Sequence, residues 1–371
     1  MKRLIALISA LIFCIVPLSV DAVSDSAKAS VVINGENGEI IYSKNADARL
    51  SMASTTKIMT GLILCEYGNF DKEITVSADM LRVEGSSMGL LPGDRVTLHD
   101  LLYGLMLASG NDAANVIATV VGGSVDGFVK LMNNRARAMG LQNTSFATPS
   151  GLDAETHYTT AYELAIIAMH AMENEAFAKA VSTKKATLNY GNPPYRRTLT
   201  NHNKLLDMMN GAVGIKTGFT KKSGRCLVSA VEGDGKLVIT VTLNDPNDWQ
   251  DHIALAKHGL SLIKQVQFTP ENKEYKIPVI NGESNYLNVE LNSFFVNTVD
   301  TSGIEFQVNL PEFLYAPIKK GEEIGSVVYS RNGAVLGEKK ITAAKDICEA
   351  EIKTDFWQKL FNKVNLIIDN I

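Results

Sequence analysis

The sequence predicts an α/β (α+β) fold, in which a helical cluster packs against an antiparallel sheet and a small all-β part and a terminal amphipathic helix follow. Three observations support this fold class. Apolar residues recur at helical spacing in six segments between residues 54 and 263, and strand-like runs flank turn signals at both ends of that region. After about residue 267 the pattern changes to alternating apolar and polar residues broken by turns.

The composition sets broad limits on the class of protein. A chain of 371 residues is long enough for one large domain and a smaller one. It is 46% hydrophobic and 20% charged, which is ordinary for a globular protein and argues against extended disorder. The net charge of -4 offers no basic surface, so nucleic acid is not an expected partner.

The N-terminus has the pattern of an export signal. Met1-Lys2-Arg3 is positively charged, residues 4–20 are almost all apolar, and Val20-Asp21-Ala22 places small residues at the two positions that a signal peptidase reads. We therefore expect residues 1–22 to be a cleaved signal peptide, with the mature chain starting near Val23. An uncleaved N-terminal anchor is the alternative.

The cysteines do not indicate a disulfide framework. Cys14 lies in the signal, and the bulky Phe13 before it does not suit lipoprotein processing. Cys65, Cys226 and Cys348 remain, and their odd number and wide spacing predict small core residues rather than disulfides.

The elements of the large domain, residues 23–266, are predicted in order. Strands over 30–34 and 39–44 surround Glu36-Asn37-Gly38, and helices follow over 54–66, 98–106, 112–121, 125–139 and 160–171. The stretch YGNPPYRRTLTNHN is predicted to be loop. Strands return at 227–231 and 237–243 around the hairpin signal Gly233-Asp234-Gly235, and 252–263 is predicted to be a helix.

The remaining chain is predicted as two further parts. Residues 267–350 should form a β-sandwich accessory domain from the segments EYKIPVI, YLNVEL, IEFQVNL, EIGSVVYS and AVLGEKKIT. Residues 351–371 return to helical spacing, with one stripe formed by Phe356, Trp357, Leu360, Phe361, Val364, Ile367, Ile368 and Ile371. The stripe could dock on the chain's own β domain, but its terminal position and its aromatic residues favour a membrane-association helix.

The stretch ASTTK at residues 53–57 raises the question of chemistry. Ser54 and Lys57 either cap and begin a helix or form a reacting pair, since residues three apart share a helix face. A serine hydroxyl is a poor nucleophile unless a base takes its proton. A lysine acts as that base only when neutral, and lowering its pKa to roughly 7 requires about 4–5 kcal/mol of destabilisation of the charged form.

The spacing alone is weak, since Ser-x-x-Lys also occurs at 182–185 and 261–264. Two other motifs strengthen the interpretation. Ser109-Gly110-Asn111 falls in a break between two predicted helices, and Lys216-Thr217-Gly218 follows the apolar run AVGI at the end of a predicted strand. A second Ser-x-Asn at 330–332 is predicted to be a β-turn. Only the set beginning at Ser54, Ser109 and Lys216 has the required order, each member at the edge of an element.

These motifs make the chain resemble the serine-type D-alanyl-D-alanine carboxypeptidases, the low-molecular-mass penicillin-binding proteins. The resemblance covers residues 31–265 through MASTTKIMT, GSSMGLLPGD, ASGNDAAN, SGLDAETHYTTAYELA and GIKTGFTKKSGRCLVSA. It is looser in the β domain, through PIKKGEEIGSVV. It implies a β-lactamase/transpeptidase-like fold, peptidoglycan stem peptides ending in D-Ala-D-Ala and β-lactams as partners, no cofactor, and a place on the outer face of the cytoplasmic membrane.

The resemblance also implies roles for three catalytic residues. Ser54 would attack the carbonyl between two D-alanines, release the last one and carry the acyl group. Lys57 would be the base, and Ser109 would relay a proton to the leaving amine.

The remaining motif residues would bind the substrate. Asn111 would hold the amide of the acyl side chain, and Lys216 and Thr217 would meet the terminal carboxylate. Gly218 would let the substrate backbone lie close, and the backbone N–H groups of Ser54 and Phe219 would form the oxyanion hole.

The chain departs from some relatives, which carry histidine where it has Phe219. The backbone donor survives this change, whereas a polar side-chain role does not. Arg225 is a candidate for an additional carboxylate-binding arginine, and a structural ion pair is the alternative.

Other classes of function find less support. A class A β-lactamase needs a positioned glutamate between the second and third motifs, and Glu155 and Glu163, the nearest, lie in a stretch that is not β-lactamase-like. A non-catalytic penicillin-sensing or wall-binding protein would lose the nucleophile, which is present here. No metal is expected, since the histidines lack ligand spacing and His99, His157 and His202 are predicted to be loop or capping residues. Rossmann and P-loop signatures are absent from the sequence.

Overall fold

The fold is taken from a computed structural model that describes residues 23–350. The predicted signal peptide at 1–22 and the predicted terminal helix at 351–371 lie outside the described residues. We call residues 23–263 the N-terminal unit and residues 264–350 the C-terminal unit.

The N-terminal unit is built from helices and short strands. Its helices are α1 (Lys57–Tyr67), α2 (Leu98–Met106), α3 (Asn111–Gly122), α4 (Val125–Ala138), α5 (Ala161–Met172), α6 (Glu175–Ser182), α7 (Leu205–Met208) and α8 (Asp248–Leu262). Its strands are β1 (Ala29–Asn34), β2 (Ile40–Lys44), β3 (Glu73–Thr75), β4 (Arg95–Thr97), β5 (Lys185–Gly191), β6 (Pro194–Thr200), β7 (Ala212–Thr220), β8 (Gly224–Gly233) and β9 (Lys236–Leu243). Turns of 3-10 helix cover Ala53–Thr56 and Ala78–Leu81.

A five-stranded antiparallel sheet with the order β2-β1-β9-β8-β7 lies at the centre of this unit. Alternate residues of a strand point to opposite faces, so Val31 packs into the large helical core while Val32 packs against α8. Both faces of the sheet are therefore covered. Strand β7, at one edge, runs beside the 3-10 turn that begins at Ala53.

Several predicted elements lie at or near their predicted positions. Helix α2 covers the predicted residues 98–106, because Thr97 and Asp100 form a capping box at its start. The hairpin of β8 and β9 turns at Asp234 and Gly235, which both have positive φ as a two-residue type I′ turn requires.

Other predictions for this unit were wrong. The stretch predicted to be loop contains most of the hairpin formed by β5 and β6, whose prolines Pro193 and Pro194 lie at the turn and at the first residue of β6. Most residues of β6 are exposed, so the strand has no apolar alternation to reveal it. The predicted helix 54–66 begins as a 3-10 turn, and the Lys216-Thr217-Gly218 motif lies inside β7 rather than at its end.

The C-terminal unit is all-β, as predicted. Its strands are β10 (Lys264–Phe268), β11 (Glu274–Ile280), β12 (Tyr286–Glu290), β13 (Phe294–Thr298), β14 (Ile304–Asn309), β15 (Leu314–Tyr315), β16 (Glu323–Arg331) and β17 (Ala334–Thr342). They form small sheets ordered β10-β13, β12-β11-β15 and β14-β16-β17 around a second apolar core. The sequence missed β10 and β13, which are short.

The division of the chain at residues 266/267 stays a prediction. It falls within β10, which pairs with β13 of the C-terminal unit. Polar contacts link the two units: Asn297 Nδ2 donates to the carbonyl of Gly235 over 2.9 Å, and Arg331 lies 2.8 Å from the Glu39 carboxylate.

Two of the three cysteines lie where the sequence predicts. Cys65 and Cys226 are buried as expected, whereas the prediction of a core position for Cys348 was wrong because it lies exposed near the end of the described chain.

Between residues 23 and 350 no single helix is long and apolar enough to cross a bilayer, and α3 and α4 pass that test only as a pair bent by 82°.

Candidate active site

Ser54 lies in the 3-10 turn immediately before α1, and the residue before it has an unusual backbone. Ala53 has a φ of 48°, in the left-handed region that costs a non-glycine residue energy unless its surroundings hold it there. Gly151 packs on it so closely that an added Cβ would lie 2.0 Å from the Ala53 carbonyl oxygen. The position of Ser54 is thus set by its neighbours in space as well as by the helix.

A buried histidine supports the same turn. The backbone N–H of Ala147 donates to Nδ1 of His157 over 2.9 Å, so the neutral ring carries its hydrogen on Nε2. This Nε2 lies 2.7 Å from Oγ1 of Thr56, which donates in turn to the Ala53 carbonyl over 2.8 Å. Burial lowers the pKa of His157 to about 4, in agreement with a neutral ring. His157 is therefore a buried support of the turn, and its prediction as a loop or capping residue missed this.

Lys57 directs its amine at Ser54. Its Nζ lies 2.9 Å from Ser54 Oγ, 2.7 Å from Asn111 Oδ1 and 2.6 Å from the carbonyl oxygen of Ser150. A neutral amine has two hydrogens and one lone pair. The amide and carbonyl oxygens can only accept, so they take the two hydrogens, and the lone pair then faces the Ser54 hydroxyl.

The surroundings of Lys57 favour this neutral form. The side chain is fully buried, and burial is the main cause that holds the pKa of Lys57 well below its usual range. The positive charge of Lys216 lowers the pKa further, and the Asp112 carboxylate opposes the shift. The geometry and the electrostatics both suit a base.

Ser109 and Asn111 lie in the break between α2 and α3. Ser109 is buried and has a φ of 56°, a second non-glycine residue of the site in the left-handed region. Asn111 begins α3, and its Nδ2 donates to the carbonyl of Glu84 over 2.6 Å while its Oδ1 accepts from Lys57. One amide hydrogen of Asn111 remains for another acceptor.

Strand β7 carries the third motif. Lys216 is buried and donates to the carbonyl of Thr217 over 3.0 Å, and burial lowers its pKa to about 7. A Cβ added at Gly218 would lie 3.0 Å from the backbone nitrogen of Ser54, so glycine lets the strand approach the nucleophile. Phe219 follows with its side chain 67% exposed.

Five of the predicted residues, Ser54, Ser109, Thr217, Gly218 and Phe219, line one cleft of about 330 Å³. Its walls are formed by Ser54, Ser86, Ser109, His202, Thr217, Gly218, Phe219, Arg225, Asp248 and Trp249. Lys57, Asn111 and Lys216 are buried and do not line it, and Lys57 and Asn111 are joined through their hydrogen bond. Sequence reasoning did not assign His202, Trp249, Ser86 or Asp248 to the site, although Ser86 lies in the stretch GSSMGLLPGD.

Arg225 lies at this cleft in an ion pair. Its Nη2 is 2.7 Å from Asp248 Oδ1, and its guanidinium lies 5.6 Å from the centre of the Trp249 ring. Asp248 is buried, whereas the Arg225 side chain is 42% exposed. The ion pair is thus observed, and because Arg225 also faces the cleft, its role in carboxylate binding stays a prediction.

The decoy motifs and the β-lactamase candidates lie apart from the cleft walls. Ser182 Oγ donates to Ala178 and Ser261 Oγ donates to His258, each within its own helix. Glu163 accepts hydrogen bonds from the backbone of Gln142 and Asn143 and from Thr144, so its carboxylate is already occupied.

The structure also bears on the glutamates that a β-lactamase would need and on metal ligands. Glu155 is exposed, and neither it nor Glu163 lines the cleft. Among residues 23–350, no group of three or more His, Cys, Asp or Glu side chains is arranged to hold a metal ion.

Comparison with known proteins gives family matches for both units. Residues 17–247 match the Peptidase S11 model, described as D-alanyl-D-alanine carboxypeptidase, and residues 264–349 match the C-terminal domain of penicillin-binding protein 5. The chain is 31% identical to the D-alanyl-D-alanine carboxypeptidase DacF of Bacillus subtilis, over 87% of this chain and 86% of that protein. It is 30% identical to DacC of Escherichia coli, over 93% and 90%.

Solved structures show the same relationship. The Streptomyces K15 DD-transpeptidase superposes with a TM-score of 0.62 at 34% identity and covers 64% of this chain and 98% of its own. Penicillin-binding protein 5 from Haemophilus influenzae gives a TM-score of 0.64 at 27% identity, over 89% of this chain and 100% of its own.

Proposed function

The chain belongs to the D-alanyl-D-alanine carboxypeptidase family, peptidase S11, and we propose that it acts through a serine acyl-enzyme on Ser54. It is a carboxypeptidase of the penicillin-binding protein class, a hydrolase that acts on the D-alanyl-D-alanine end of peptidoglycan peptides. The proposal concerns the residues that carry out the reaction and the place where the protein works.

The observation that carries the mechanism is the hydrogen bonding of Lys57. Two acceptors take its N–H groups, and its third neighbour is the Ser54 hydroxyl at 2.9 Å. Lys57 accepts the Ser54 proton while Oγ forms a bond to the carbonyl carbon between the two D-alanines. The C–N bond then breaks, the terminal D-alanine leaves with a proton on its amine, and the acyl group stays on Ser54.

Two groups complete this step. Ser109 relays the proton from Lys57 to the leaving amine, for which its position on the cleft wall is suitable. The backbone N–H groups of Ser54 and Phe219 stabilise the oxyanion, a contribution that is commonly about 3–4 kcal/mol for one donor. Water then attacks the ester carbonyl, and the bond between the acyl carbon and Ser54 Oγ breaks. The shortened peptide leaves with a new carboxyl group, and the Ser54 hydroxyl is regenerated.

Substrate binding is assigned to the remaining residues. Lys216 meets the terminal carboxylate together with the Thr217 hydroxyl, and the free amide hydrogen of Asn111 meets a carbonyl of the acyl side chain. Gly218 leaves room for the substrate backbone along β7, and the exposed Phe219 ring borders it. Arg225 offers a second cation at the same wall of the cleft.

Labelling with penicillin tests the acyl-enzyme assignment. After incubation with penicillin, mass spectrometry and peptide mapping should find the adduct on Ser54, and Ser54→Ala should abolish it while the protein stays folded. Ser261→Ala, at a decoy motif, is the matched control and should label fully. An adduct on Ser182 or Ser261, or none at all, would overturn the assignment.

Substrate preference tests the role of Lys216. Peptides ending in D-Ala-D-Ala should lose one D-alanine, and Lys216→Ala should slow the reaction most for substrates with a free carboxylate. Equal rates of the wild-type enzyme on a free and an amidated C-terminus would contradict this role.

We further propose that the protein is exported and attached to the membrane surface. Residues 1–22 have the pattern of a cleaved signal and residues 351–371 that of an amphipathic helix. A chain ending after Lys353 should leave the membrane fraction and still bind penicillin. If that truncated chain stays with membranes as firmly as the full one, the anchor is the N-terminal segment at 4–20.

A further inference from the structure

The C-terminal unit exposes a cluster of large apolar side chains on one sheet. Pro278, Ile280, Tyr286, Phe313 and Tyr315 form what we call the aromatic patch. Ile280 is 38% exposed, Tyr286 53%, Phe313 44% and Tyr315 64%. Large apolar residues that are exposed singly need no explanation, but a contiguous group of them marks an interaction surface.

The strand register places these residues on one face. Pro278 of β11 lies opposite Tyr286 of β12, and Ile280 lies opposite Tyr315 of β15. The intervening Val279 points the other way, into the core of the unit. The rings of Phe313 and Tyr315 are packed edge to face, with their centres 5.5 Å apart.

The same face changes character along its length. Away from the patch, Glu274 is opposite Glu290 and Lys276 is opposite Asn288, and all four are exposed. The apolar residues are therefore confined to one end of this face, and the other end is polar.

The chain leaves the described structure at the apolar end. The N–H of Ala350 donates to the carbonyl of Asn281 over 2.8 Å, next to Ile280, and Glu349 forms a bridge with Gly282. Residues 351–371, with their stripe of eight large apolar residues, therefore start at the edge of the aromatic patch. The patch and the start of the segment proposed to bind the membrane are adjacent.

We propose that the aromatic patch is a second lipid-contacting surface, which lies in the headgroup region of the membrane beside residues 351–371. This inference rests on the membrane attachment proposed above. Tyrosine and phenylalanine suit that region, because their rings prefer apolar surroundings and the tyrosine hydroxyl stays in the wet headgroup layer.

The alternative occupant is the terminal segment itself, folded back on its own unit. The sizes favour the lipid: eight large apolar side chains in the stripe exceed the five residues of the patch, so an intramolecular contact would leave much of the stripe uncovered. A bilayer covers both surfaces at once. Two contacts also restrict the tilt of the enzyme on the membrane more than one point of attachment does.

Vesicle binding of the mature chain, residues 23–371, tests the proposal. The double variant Phe313→Ser/Tyr315→Ser should bind vesicles of phosphatidylcholine and phosphatidylglycerol roughly tenfold more weakly than the wild type, because apolar contact area is lost. The matched control is Tyr195→Ser/Val335→Ser, which removes side chains that are 53% and 69% exposed away from the patch. It should bind within about twofold of the wild type. Circular dichroism and urea unfolding verify that each variant is folded in both units.

The outcomes separate the patch from the terminal segment. Unchanged binding of the patch variant, with weak binding of the chain truncated after Lys353, overturns the patch and leaves the segment as the anchor. Weaker binding of the patch variant, with no effect of truncation, supports the patch and overturns the role of the segment. Tighter binding of the patch variant, together with a lower melting temperature of the truncated chain, shows that the segment covers the patch and overturns the lipid contact.

Discussion

Replacing Lys216 by methionine should make the protein more stable while it disables substrate binding. The side chain is 1% exposed, and burial lowers its pKa from 10.5 to about 7. Burying this lysine therefore costs free energy of folding at neutral pH. Burying an apolar side chain of similar length does not carry that cost. Lys216→Met removes that cost along with the cation that we propose to meet the substrate carboxylate.

The magnitude follows from the two pKa values and depends on pH. The pKa of Lys216 is lower in the folded than in the unfolded protein, so the cost is complete below about pH 7 and disappears as the pH rises to about 10.5. At about 1.36 kcal/mol per pH unit, it is about 5 kcal/mol at pH 6 and about 1 kcal/mol at pH 9.5. The advantage of Lys216→Met over wild type should thus shrink by about 3–4 kcal/mol between these two values.

Urea unfolding of both proteins at pH 6 and pH 9.5 measures this difference. The exposed Lys320→Met is the matched control, and it should change stability little at either pH. A second readout is the pH dependence of acylation by penicillin. Without the charge of Lys216 the pKa of Lys57 rises, so the acid limb should move to higher pH. A stability gain that is equal at both pH values, or a loss, would refute the reasoning about burial.

Three further substitutions test the supports of the nucleophile. Asn111→Leu deprives Lys57 of an acceptor, and stopped-flow acylation by penicillin should slow by roughly 100-fold; a rate near that of wild type would contradict the neutral-amine geometry. Gly151→Ala places a methyl group 2.0 Å from the carbonyl oxygen before the nucleophile and should slow acylation, whereas Gly140→Ala, at a positive φ with open space, should cost only about 1 kcal/mol in urea unfolding and leave acylation intact. His157→Phe removes the hydrogen bond to the threonine of the turn and should lower stability by about 1–3 kcal/mol, and an unchanged melting temperature would show that the turn does not need it.

The parts of the fold that could be predicted have local causes. Helix α2 could be predicted to the residue because its capping box lies within four positions of the chain, and the β8–β9 hairpin because Asp234 and Gly235 suit its turn. Strand β6 could not be predicted, since its pairing with β5, and not its own pattern, holds it at the edge of a four-stranded sheet with the order β3-β4-β5-β6.

The residues of the candidate site also differ in whether the sequence alone reveals them. The contact between Ser54 and Lys57 could be predicted because the proposed chemistry requires those side chains at that spacing. The second acceptor of Lys57 is the backbone carbonyl of Ser150, which any residue could provide, so no residue type reveals it. Trp249 reaches the cleft from the start of α8, through the folding of distant segments.

The joint between the two units has a consequence for how such chains can evolve. None of the three apolar clusters within residues 23–350 includes buried residues from both units, and the contacts across the joint centre on Asn297, Glu39 and Arg331. A surface left behind by removing one unit would therefore be wettable and need no new core. The Streptomyces K15 enzyme corresponds to the larger unit by itself. A lineage can thus gain, lose or exchange the smaller unit without redesigning the chemistry.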